Sequence, residues 1–220
     1  MTVTANSWSA YRAAFRADAH QLVAWGYQDA RPHIHVISEE TAITGLIVEA
    51  IEARLDDPTT PERFERYEAV DEYQLPGEEL VGKHRKRADI RIKSSVLRPR
   101  PRYVFEAKRL KRSSYGIDRY LGEDGMQRFL KDTSYSQYCD EAAMVGYVQD
   151  ETPVWWLEKL SETLERDVAG VHSLVASLSF PAETMPFENA RISSHTKFDG
   201  RTIEITHILL ECGEPPQANP

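Results

Sequence analysis

Two short stretches carry side chains suited to hydrolytic chemistry. They are Arg87-Ala88-Asp89-Ile90 and Val104-Phe105-Glu106-Ala107-Lys108, with sixteen residues between Asp89 and Glu106. Read as strands, the second puts Glu106 and Lys108 on one face, ~7 Å apart, and the first puts Asp89 on its polar face. If the two strands pair, two carboxylates and one ammonium converge. Two carboxylates supplemented by the backbone carbonyl of Ala107 suit Mg²⁺ (or Mn²⁺), which keeps several waters of its own. A lysine beside such an ion would help deprotonate an attacking water and stabilise developing negative charge. Phosphodiester hydrolysis needs these parts.

Charge is concentrated around them. From Lys83 to Arg112 the chain has thirteen lysines and arginines against Asp89 and Glu106, a net +11 inside a protein whose total is −8. A basic block in an acidic body fits a polyanion, and Lys86, Arg87, Arg91, Arg109 and Lys111 are its candidate nucleic-acid contacts. The competing reading is a basic strand pair neutralised by acidic neighbours, with Glu68, Asp71 and Glu72 as partners. The rest of the composition is ordinary: 41% hydrophobic, 28% charged, two cysteines. Two cysteines exclude a disulfide framework and a cysteine zinc site. No apolar run reaches the ~18 residues of a membrane span, and Met1 to Ser9 has no secretory pattern. The expected location is cytoplasmic.

The elements that must position these residues follow from periodicity. Ser7 to about Trp25 is a helix that Gly26 is expected to stop. A second helix runs to about Leu55, with Ser38 as its expected N-cap. Phe64 to Leu75 is strand-like, Pro76-Gly77 is a turn, and Arg87–Lys93 and Tyr103–Lys108 alternate as strands. Helices are expected over Gly122–Lys131 and within Tyr135–Asp140, then a buried strand over Ala142–Val148. Thr152 caps a helix with Pro153 at its first position. Arg191–Phe198 and Thr202–Cys212 form a hairpin about Asp199-Gly200. The expectation is α/β: a mixed central sheet flanked by helices, with an N-terminal helix, a C-terminal β-hairpin, one domain over 1–212 and a frayed tail over 213–220.

Asp89, Glu106-Ala107-Lys108, the preceding acidic helix and the following helix and strand resemble the PD-(D/E)XK, or restriction-endonuclease-like, nuclease superfamily. The likeness covers roughly Ser38 to Val148. Ala88 stands where the family name has proline. The resemblance implies a Mg²⁺-dependent deoxyribonuclease leaving a 5′-phosphate and a 3′-hydroxyl. It also implies a bacterial restriction or anti-phage role, with a homo-oligomer or a helicase or ATPase subunit as partner. The chain itself has no Walker motif. The family carries an acid on its first core helix. Around the wheel Glu39 and Glu40 fall within ~50° of the apolar set Ile43, Leu46, Ile47, Ala50 and Ile51, and Glu49 about 130° away. Glu40 is favoured, Glu39 close behind, with a helix-dipole role as the plain alternative. The family also places a polar residue on the helix after the Glu-x-Lys strand, which here is Gln127. The rival function is a non-catalytic nucleic-acid-binding or assembly subunit on a nuclease-like scaffold.

Overall fold

The computed structural model describes residues 5–75, 86–96, 98–138, 141–168, 170–181 and 185–214. The expected Pro76-Gly77 turn, Lys83, Arg85 and Cys139 lie outside the described residues. In chain order the elements are α1 (Ala5–Ala30), α2 (Glu40–Asp56), β1 (Tyr67–Gln74), β2 (Arg87–Ser94), β3 (Arg102–Leu110), α3 (Ile117–Leu121), α4 (Gln127–Lys131), α5 (Thr133–Tyr138), β4 (Glu141–Val148), α6 (Pro153–Glu165), β5 (Leu174–Ser179), β6 (Arg191–Thr196) and β7 (Thr202–Glu211).

The strands form one seven-stranded sheet in the order β1-β2-β3-β4-β7-β6-β5. The β3–β4 and β4–β7 ladders are parallel and the others antiparallel. Both faces are covered. Ala143, Val145 and Tyr147 of β4 pack under α1 and α2, while Ala142, Met144 and Val148 face the layer of α3 to α6. A central parallel strand buried on both sides reads as a continuous apolar run, as β4 does. Among the described residues no helix is long and apolar enough to cross a membrane.

Several local expectations need correction. Gly26 does not stop the first helix, which continues to Ala30. A Cβ on Gly26 would lie 2.6 Å from the Ile47 carbonyl, so the glycine lets α1 and α2 approach closely. The N-cap of α2 is Glu39 without a side-chain cap, and Ser38 Oγ instead accepts the His35 N–H at 3.1 Å. The helix expected over Gly122–Lys131 begins only at Gln127. Gly125 folds against the Tyr120 carbonyl too tightly for any Cβ, 2.1 Å from where one would sit. Gly213 belongs to no frayed tail: its N–H donates to Ile34 O and its carbonyl accepts from Val36 N, both at 2.9 Å. The first strand starts at Tyr67, after a short 3-10 turn that buries Phe64. Strand β5 was not anticipated. The Thr152 cap and the hairpin of β6 and β7 match the sequence reading, with Gly200 at φ +81 in the turn.

One feature of the sheet positions the chemistry. Strand β2 pairs with β3 from Lys93–Arg102 to Ile90–Phe105, but with β1 out to Gln74–Arg87. Strand β3 meanwhile stays on β4 out to Leu110–Val148. Beyond Ile90 and Phe105 the two strands therefore part, and Asp89 and Glu106 are the first residues past the fork.

Candidate active site

When β2 leaves β3, the backbone N–H groups along that edge of β3 lose their ladder partners, and burying them unpaired would be costly. N–H groups alternate sides along a strand, so Ala107 and Arg109 share the edge. Asp89 Oδ2 accepts the Ala107 N–H at 2.6 Å, and Glu40 Oε2 accepts the Arg109 N–H at 3.0 Å. Two carboxylates thus replace the missing strand. Glu40 is held there by the first turn of α2, which Thr44 fastens by donating to the Glu40 carbonyl at 2.9 Å.

The same carboxylates, joined by Glu106, face Lys108, Asp89 with the very oxygen that accepts the Ala107 N–H. Its Nζ lies 2.9 Å from Glu106 Oε1, 3.1 Å from Glu40 Oε1 and 3.7 Å from Asp89 Oδ2, and it also donates to the Ala107 carbonyl. Glu106 is completely buried. Arg128 donates to its Oε1 at 2.6 Å and Tyr135 to its Oε2 at 2.7 Å, and Tyr135 also touches the Arg87 carbonyl. Burial, reinforced by Asp89, pushes the Glu106 carboxyl up to about 8 against the pull of Lys108, Arg128 and Tyr135. Burial likewise raises Asp89, partly offset by Lys108 and by the Ala107 N–H. For Lys108 burial opposes the charge, yet Glu106, Asp89 and Glu40 outweigh it and hold the ammonium above its ordinary value.

The acceptors around Lys108 Nζ are three carboxylates and one carbonyl, all hard oxygens, the set a divalent cation prefers. They are gathered round the ammonium rather than round one another: among the described residues no three His, Cys, Asp or Glu groups are closed up for a metal. The residues fit Mg²⁺ or Mn²⁺ in chemistry, and holding it requires Lys108 to swing aside.

Other candidates fall differently. Glu39 is exposed and pairs with Arg109 at 2.9 Å, and Glu49 is exposed on the far side of α2. Gln127 is buried but binds Lys131, whose Nζ donates to its Oε1 at 2.7 Å. Its neighbour Arg128 is the α4 residue that reaches Glu106. Arg128 and Tyr135 were not anticipated, although a fully buried glutamate on a strand itself signals that cationic or hydroxyl partners must come from elsewhere.

Much of the basic block is neutralised. Lys86 pairs with Asp132 at 3.6 Å, Arg87 with Glu72 at 3.0 Å, Lys93 with Glu68 at 3.0 Å and Arg112 with Glu151 at 2.8 Å. Arg91 is a correction: it is buried beneath Tyr73, its guanidinium 3.8 Å from the ring centre and bonded to Glu68, where it is not presented to a phosphate. Arg109 stacks on Tyr115, and Lys111 is half-buried in a bridge with the same residue.

Compared with protein-family models, curated proteins and solved structures, the chain gives no match.

Proposed function

We propose that this chain is a divalent-cation-dependent nuclease that hydrolyses DNA phosphodiester bonds at the fork between β2 and β3. The observation that carries the reading is the gathering of Asp89, Glu106, Glu40 and the Ala107 carbonyl around Lys108 Nζ. The likeness of Asp89 and Glu106-Ala107-Lys108 to the PD-(D/E)XK pattern supports it. A bound Mg²⁺ would polarise the scissile phosphate and acidify a water. Asp89, Glu106 and the Ala107 carbonyl would hold the ion, and Glu40 would orient the water. Lys108, released from the carboxylates, would face the attacking water and the developing charge on phosphate. Arg87 and Lys86 would exchange their surface partners for phosphate, since exposed ion pairs are worth only about 0–1 kcal/mol each.

One observation favours a second reading. The carboxylates are already ion-paired with Lys108 and Arg128, as a non-catalytic DNA-binding or assembly module would have them. Incubating linear, circular and single-stranded DNA, and RNA, with Mg²⁺, Mn²⁺ or EDTA separates the two. The nuclease reading expects metal-dependent DNA cleavage that Lys108→Ala abolishes. Salt-sensitive binding without turnover, or cleavage unchanged in Lys108→Ala, would sink it.

A further inference from the structure

Two exposed arginines of the basic block remain uncompensated, and both lie in the loop that joins β2 to β3. Arg98, Arg100 and Arg102 alternate there with Pro99 and Pro101, and all three arginines are exposed. Lys86, Arg87, Lys93, Arg109 and Arg112 each meet a carboxylate. Among the described residues no ion pair or hydrogen bond reaches the side chain of Arg98 or Arg100. The loop is held in shape. Proline fixes φ at 99 and 101 and restricts the arginine before each. The Ser94 N–H donates to the Pro101 carbonyl at 3.1 Å and the Ser95 N–H to the Arg66 carbonyl at 2.8 Å. Ser94 Oγ meets the Tyr11 hydroxyl at 2.7 Å and accepts the Val96 N–H at 3.2 Å. Like charges held together on a free surface repel, and a polyanion laid across them removes that cost.

We propose that the 98–102 loop anchors the phosphate backbone of a DNA strand several nucleotides away from the bond cut at the carboxylate fork, an inference that rests on the nuclease reading of that fork. Three observations select this partner. The free cations are arginines, whose planar donor fork matches a phosphate in two bonds at once. The prolines set the loop in advance, so little freedom is lost on binding. The loop also continues the face that carries the chemistry. Side chains alternate along β3, so Arg102 and Glu106 share a face, ~13 Å apart. Lys93, directly opposite Arg102 on β2, shares it too. At ~3.4 Å per nucleotide a strand must extend about four nucleotides from the fork to meet Arg102, and further to meet Arg100 and Arg98. The substrate is therefore a polymer, gripped at a distance from the scissile bond.

The test reads binding and cleavage separately. In EDTA, the fluorescence anisotropy of a labelled twenty-base-pair duplex is followed against salt for the full chain. Arg98→Ala/Arg100→Ala is expected to bind at least tenfold more weakly at an unaltered Tm. The slope of log affinity against log salt should become shallower by about 1.8, the loss of two phosphate contacts. Arg98→Lys/Arg100→Lys should keep most of that slope. In Mg²⁺ the alanine variant should raise KM for a twenty-residue oligodeoxythymidylate more than it lowers kcat, and should lose the parent's preference for it over the tetramer. Unchanged affinity and slope in the alanine variant, a slope lost equally in the lysine variant, or tighter binding of polyglutamate or phosphatidylserine vesicles than of the duplex would each overturn the proposal. Duplex binding in EDTA that depends on Arg98 and Arg100, with no cleavage in Mg²⁺ or Mn²⁺, would uphold the anchor and sink the nuclease reading instead.

Discussion

The Asp89 carboxylate occupies a hydrogen-bonding position that a neighbouring strand would otherwise fill, accepting the Ala107 N–H at 2.6 Å where β2 and β3 part. One oxygen is thereby committed to the fold, and the charge remains beside Lys108. Asp89→Asn keeps an acceptor for that N–H and loses the charge. Its Tm is expected to stay close to that of the parent, while Mg²⁺ affinity falls at least tenfold and DNA cleavage disappears. Asp89→Ala leaves a buried N–H unpaired and is expected to cost about 1–3 kcal/mol in urea unfolding as well. Calorimetric Mg²⁺ titration of the Asn variant decides the point: unaltered affinity would remove Asp89 from the ion site.

Glu106 ties metal binding to pH. Its carboxyl sits at about 8, against 4.5 for an ordinary glutamate, so below about pH 8 it holds a proton that a divalent ion must displace. Mg²⁺ affinity and cleavage are expected to rise from about pH 6 to about pH 8 and then level off, with a proton released on binding. The stability linkage has the opposite sign. The folded state holds a proton that the unfolded chain releases, so this contribution is full below pH 4.5 and is lost as pH rises through about 8. Titrations in buffers of different ionisation enthalpy count the proton, and a pH-independent affinity would contradict the assignment.

Arg128 and Tyr135 grip the two oxygens of Glu106 from α4 and α5. Removing Glu106 alone strands Lys108 and Arg128 in a largely buried cluster, and Glu106→Ala is expected to cost about 3–5 kcal/mol. Glu106→Ala/Arg128→Ala should lose less than the two single changes predict, with a coupling of about 0.5–3 kcal/mol. Strict additivity in urea unfolding would show that Arg128 does not sense Glu106.

The sequence made the strands legible and left their companions obscure. Alternation marked Ala88, Ile90 and Ile92 as one buried set, and all three are fully buried. The wheel placed Glu40 on the inward side of its helix, and Glu40 meets Lys108. What periodicity could not show was the fork, because it arises from where β2 stops pairing rather than from any residue type. Arg128 and Tyr135 lie on helices of five and six residues, too short to display a helical repeat. Arg91 followed the polar phase of β2 yet is buried, because Tyr73 and Glu68 on β1 close over it. A net charge count over a segment says nothing about which partners fold back onto it.

Gly26 gives a test with an inverted sign. In an exposed helix, Gly→Ala would stabilise by about 1 kcal/mol. Here the added Cβ would stand 2.6 Å from both the Ile47 carbonyl and Ile51 Cγ1, so α1 and α2 must separate. Gly26→Ala is expected to destabilise by about 1–3 kcal/mol. Because α2 carries Glu40 to the fork, cleavage should fall as well. A higher Tm in this variant would refute the close approach.

A buried chain of hydrogen bonds in the C-terminal hairpin gives the last prediction. Ser193 Oγ bridges His195 Nε2 at 2.6 Å and His207 Nε2 at 2.8 Å. The tautomers follow from one end. His195 Nδ1 meets the His172 carbonyl at 2.7 Å, which only accepts, so Nδ1 carries the hydrogen and Nε2 accepts from Ser193. Ser193 then accepts from His207 Nε2–H, and His207 Nδ1 accepts from the Tyr120 hydroxyl at 3.0 Å. Protonating His195 sets its Nε2–H against the Ser193 hydroxyl hydrogen, and protonating His207 turns the Tyr120 hydroxyl away to the Met144 carbonyl. Burial accordingly holds His195 at about 4 and His207 at about 3, against an ordinary 6.5. Between those values the unfolded chain takes up protons that the folded state refuses, so this contribution is full above pH 6.5 and is lost as pH falls toward about 3. Urea unfolding is expected to show a steep loss of stability below about pH 6.5 that flattens in His195→Gln/His207→Gln. Imidazole ¹⁵N spectra should show Nδ1–H on His195 and Nε2–H on His207, and the reverse pairing would break the chain as drawn.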